Sequence, residues 1–117
     1  MTDRILEDAG LPPLLATVMK PWVTAVENGT LGMRDEVVAA ASGTATSLKR
    51  RVTVLPTLDM AIAQAVVTST AFADAVGIRG TKTTQTRAAA LASLEVVIEQ
   101  LRTAQPSDDT RALGLGW

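Results

Sequence analysis

Glu95 and Glu99 stand one helical turn apart, a spacing at which paired carboxylates hold a metal ion or move a proton. A helical carboxylate metal site adds a Glu-x-x-His pair from another helix, and this chain has no His. It also has no Cys and no Tyr. Those absences remove the usual base near neutral pH, the thiol nucleophile and most zinc, haem and iron–sulfur ligand sets. Arg102 follows Glu99 by three residues, so the carboxylates read as a solvated, ion-paired helix face. Hydroxyls are plentiful at Thr68, Ser69 and Thr70 and again at Thr81, Thr83, Thr84 and Thr86. A hydroxyl nucleophile needs a base and an oxyanion site, and neither a Ser-x-x-Lys pair nor a Gly-x-Ser-x-Gly elbow occurs. These residues read as caps, loop bonds and small groups at helix crossings. No catalytic residue, metal ligand or cofactor site is assigned.

Basic residues are the next chemistry. Residues 37–58 hold Lys49, Arg50 and Arg51 without an acid, and residues 75–94 hold Arg79, Lys82 and Arg87 without one. If these stretches adjoin, six cations share one surface, suited to an acidic protein or a nucleic-acid backbone. The bland alternative is compensation of a helix C-terminus by Lys49–Arg51 and a solubilising loop for the rest. Gly77-Ile78-Arg79-Gly80-Thr81-Lys82 offers close backbone approach to an anion, but it lacks the Gly-Lys-Ser/Thr ending of a Walker loop. At the other extreme of polarity, Arg111-Ala112-Leu113-Gly114-Leu115-Gly116-Trp117 is an apolar terminal peptide. Its Leu113, Leu115 and Trp117 are candidate contacts for the parent domain or for a neighbouring subunit.

The elements that must position these groups are helices. In 117 residues, 47% apolar and 20% charged, one folded domain is expected. Pro12-Pro13 opens an apolar segment from Leu14 to Val26 that Pro21 should kink and Asn28-Gly29 should stop. Asp35 and Glu36 open a second helix, expected over 33–55, in which Val37, Ala41, Ala45, Leu48 and Val52 form the apolar face. Val52-Thr53-Val54-Leu55 is β-branched enough for a strand, but no pairing partner is evident, so helix is preferred. A third helix is expected over 57–77, with Thr57 as N-cap and Gly77 as stop. Leu58, Ile62, Ala65, Val66, Ser69, Phe72, Ala73 and Val76 draw its inner face. Leu91, Leu94, Ile98 and Leu101 give a fourth helix, 84–105, the narrow seam of an antiparallel bundle.

The expected architecture is therefore all-α: three main antiparallel helices, a kinked N-terminal helix and a C-terminal arm. Residues 1–11 form an N-terminal arm, 12–105 the bundle and 106–117 the C-terminal arm, with Ser107–Thr110 as a polar linker. Aromatics are only Trp22, Phe72 and Trp117, so the core relies on Leu, Val, Ile and many Ala. Such a light core invites sharing of apolar surface between subunits. The net charge of −1 disfavours indiscriminate attraction of the whole molecule to nucleic acid or anionic membrane. The N-terminus lacks the order of a signal peptide, so a cytoplasmic or virion setting is expected and secretion is not. Asn28-Gly29-Thr30 then reads as a turn, not a glycan acceptor. The functional expectation is a non-enzymatic assembly protein, a homo-oligomeric helical adaptor of a viral particle or another large complex. The rival is a nucleic-acid-binding regulator or packaging subunit that uses Lys49, Arg50, Arg51, Arg79, Lys82 and Arg87.

Overall fold

The computed structural model describes residues 10–29, 33–76 and 83–112. Among them the chain forms α1 (Pro13–Asn28), α2 (Arg34–Arg51), α3 (Pro56–Val76), α4 (Thr83–Leu101) and a short α5 (Asp108–Ala112). There is no strand among the described residues, only one isolated antiparallel bridge between Val52 and Pro106. The molecule is all-α.

Each long helix packs on two others: α1 on α2 and α4, α3 on α2 and α4. The four close into a ring, and side-chain links fix their directions. Arg34 at the start of α2 pairs with Asp74 at the end of α3, at 2.8 Å. Lys49 at the end of α2 lies 3.8 Å from Asp59 at the start of α3. Thr57 in α3 donates to the Gln100 side-chain carbonyl in α4, at 3.2 Å. Neighbouring helices are thus antiparallel, as short connections demand. The N-terminal helix is a full fourth member of this ring. It runs without interruption through Pro21, which lies on its exposed side.

The core follows the apolar periodicity closely. Leu15, Met19, Trp22, Val23 and Val26 are buried from α1, and Val37, Ala41, Ala45 and Leu48 from α2. From α3 come Leu58, Ile62, Ala65, Phe72, Ala73 and Val76, and from α4 Ala90, Leu94, Val97, Ile98 and Leu101. Trp22 and Phe72 are the largest fully buried side chains. Two of the three aromatics therefore supply the bulk that the alanines lack. Trp22 Nε1 donates to Ser69 Oγ at 2.8 Å, joining α1 to α3 within the core and satisfying both polar atoms. Gly29 follows α1 where a Cβ would come within 2.7 Å of the Phe72 ring. Its φ of −58° is ordinary, so space and not backbone conformation requires glycine here.

Three boundaries differ from the expected ones, the α2 and α4 ends for a nonlocal reason and the α3 start for a local one. α2 ends at Arg51, not at 55, and Val52 turns extended with φ −119° and ψ 155°. The missing strand partner is Pro106 and its neighbours: Thr53 N–H donates to the Gln105 carbonyl at 2.8 Å, and Ser107 N–H to Arg51 at 2.9 Å. α3 begins with Pro56 inside the helix, so Thr57 is not its N-cap; the Leu55 carbonyl accepts from Asp59 N–H at 2.9 Å. α4 stops at Leu101, four residues early, because the chain must turn to reach that bridge. The Gly77 stop, the 77–82 loop and residues 1–9 lie outside the described residues.

Candidate interaction surfaces

The segment expected as a polar linker is a capping device. Ser107 Oγ donates to the Arg50 carbonyl at 2.5 Å, and Thr110 Oγ1 donates to the Arg51 carbonyl at 3.0 Å. These carbonyls belong to the last turn of α2, where the helix has no N–H donors of its own to offer them. Thr110 N–H in turn donates to Ser107 Oγ at 3.2 Å, opening α5. Thr110 is buried in this arrangement. The last turn of α2 is thus held by residues more than fifty positions away in sequence.

α5 lies beside α2, and between them runs an open groove of about 750 Å³. Arg50, Arg51 and Asp109 supply its charges; Ser42, Gly43, Thr46 and Ser47 form its floor along α2. Arg51 Nε donates to Ser47 Oγ at 3.1 Å, one turn back on the same helix. Of the basic triplet, Lys49 pairs with Asp59 and Arg51 leans on Ser47. Arg50 is exposed.

Arg87 has a different setting. Its Nε donates to the Val26 carbonyl at 3.0 Å, a terminal nitrogen donates to the Gly29 carbonyl, and its guanidinium lies 5.0 Å from the Phe72 ring centre. It therefore caps the end of α1 and stacks on a core aromatic. The end of α1 adjoins the start of α2, whereas Lys49, Arg50 and Arg51 sit at the far end of α2. Of the six candidate cations, the four described (Arg87 and Lys49, Arg50, Arg51) lie at opposite ends of the bundle. Arg79, Lys82, Leu113, Leu115 and Trp117 lie outside the described residues.

Glu95 and Glu99 are ordinary surface groups. Glu99 and Arg102 form the expected pair at 3.1 Å, and Glu95 is exposed. No three acidic residues among those described converge as a metal site. Arg34, hydrogen-bonded to Asp74 and attracted by its charge, is raised above the usual arginine value and stays protonated throughout. Among the described residues no helix is long and apolar enough to cross a membrane.

One surface had no separate signal in the sequence. Met60 is 73% exposed and Val67 is 62% exposed on α3, with Ala63 and Ala71 also exposed. Their spacing of 3, 4 and 4 residues makes a single outward stripe on α3. Leu55 and Val96 are further exposed large apolar residues. α3 is apolar on most of its circumference, so periodicity marked its inner face without revealing that an outer stripe remained. Comparison with models of known protein families, with curated proteins and with solved structures finds no match.

Proposed function

We propose that this chain is a non-enzymatic assembly subunit, a helical adaptor that meets copies of itself or other protein subunits through helix faces. The outward stripe Met60, Ala63, Val67 and Ala71 carries the reading. A bundle that buries Trp22 and Phe72 completely does not need to leave Met60 and Val67 in water for lack of room inside. Contiguous exposed apolar surface is the mark of a protein contact. Particles, viral ones included, are a setting that suits a small helical subunit of this kind. The nucleic-acid reading draws less support, since Arg87 is engaged with α1 and Arg50 lies at the other end of the bundle.

Light scattering on the wild type and on a Met60→Asp, Val67→Asp variant tests the proposal. The wild type should self-associate or join a larger complex, and the variant should lose mass while keeping its helical circular dichroism. Equal mass in both, at the protomer value, would remove the stripe as support.

A further inference from the structure

The exposed side of α2 carries a charge pattern that is its own complement. Glu36 and Arg50 lie seven residues before and after Gly43, so all three share one face. Between them that face bears only Ala39, Ala40, Thr46 and Ser47, each exposed or half-buried. A Cβ added at Gly43 would meet nothing within 4 Å. The charges around them are engaged within the molecule: Arg34 with Asp35 and Asp74, Lys49 with Asp59, Arg51 with Ser47. The side chains of Glu36 and Arg50 make no ion pair or hydrogen bond among the described residues. The acid and the base left over are the two placed symmetrically about the glycine.

We infer that α2 is a homotypic contact, in which two copies of this chain lie antiparallel about a two-fold axis at Gly43. Glu36 then faces the second copy's Arg50, and the pair recurs at the other end, about 21 Å away at 1.5 Å per residue. Ala39 and Ala40 meet the second copy's Ser47 and Thr46. A glycine at the crossing lets the axes approach to the short end of the roughly 8–10 Å range for packed helices. Asp109, which also lines the groove, competes for Arg50. The groove lining still sets Arg50 and Arg51 against one carboxylate, so it attracts an incoming Glu36. The inference rests on the assembly reading above but names α2, a face separate from the α3 stripe.

Sedimentation equilibrium of the full chain distinguishes the two. Glu36→Arg and Arg50→Glu each bring like charges together and should weaken self-association about tenfold. The double variant restores opposite charges and should recover to within about threefold of wild type. A merely structural effect gives the reverse order, because each reversal opposes the α2 dipole and the double variant is then the least stable fold. Gly43→Leu keeps its side chain in open space within the protomer, so it should fold normally, by circular dichroism, and fail to pair. Self-association of Gly43→Leu and both single variants at wild-type strength overturns the α2 contact and leaves the assembly reading standing. Weakening in both single variants without recovery in the double also overturns it. A wild type that stays monomeric at every concentration overturns the α2 contact and, with it, self-association in the reading above.

Discussion

Arg87 is the residue at which charge and role part company. In a basic stretch it reads as an exposed cation for a partner, yet it donates to Val26 and Gly29 and covers Phe72. Its value lies in the planar fork, which reaches two carbonyls while stacking on a ring. Arg87→Ala should destabilise the fold by about 1–3 kcal/mol in denaturant unfolding, by loss of charged hydrogen bonds to a helix end. Arg87→Lys should recover little of that, since an ammonium keeps the charge without the fork. Full recovery by lysine would mean that charge alone matters. The expectation that Ser69 is a small residue at a helix crossing understates it. It is also the acceptor that keeps the Trp22 indole N–H from being buried without a partner.

At the scale of elements, the inner faces were legible because a period of three and four residues is a local property. Leu15, Met19, Trp22 and Val26 on α1, and Leu94, Ile98 and Leu101 on α4, follow it and are buried. The ends were less legible because their partners are distant. Nothing near Val52 indicates that Pro106 pairs with it, nor near Arg51 that Thr110 accepts the task of capping it. The basic triplet of α2 could be read, whereas the engagement of Lys49 with Asp59 required the antiparallel neighbour. Exposed stripes such as Met60 to Ala71 stayed hidden for another reason: an apolar residue looks the same in sequence whether it faces core or solvent. The cap gives a prediction at this scale. Ser107→Ala with Thr110→Val should cost about 1–3 kcal/mol by leaving carbonyls of α2 short of donors. Hydrogen exchange should quicken in the last turn of α2 before it does in α1. Unchanged exchange there would show that the cap is dispensable. Any truncation that probes the terminal peptide should accordingly begin after Ala112, because removal from Ser107 onward also removes the cap.

At the scale of the whole molecule, the scarcity of aromatics proves less telling than where they lie. Trp22 and Phe72 fill the centre of the four-helix ring, so the protomer has a core of its own. What invites assembly is therefore not a gap in the core but the surface left uncovered on α3 and along α2. The α3 face is apolar, and the α2 face is small with one acid and one base. The native mass of the wild-type chain over a dilution series tests this most directly. A self-assembling chain has a mass above that of one protomer that falls toward it on dilution, or forms a discrete oligomer throughout. A single protomer mass from the lowest to the highest concentration, with no partner subunit added, would contradict self-assembly.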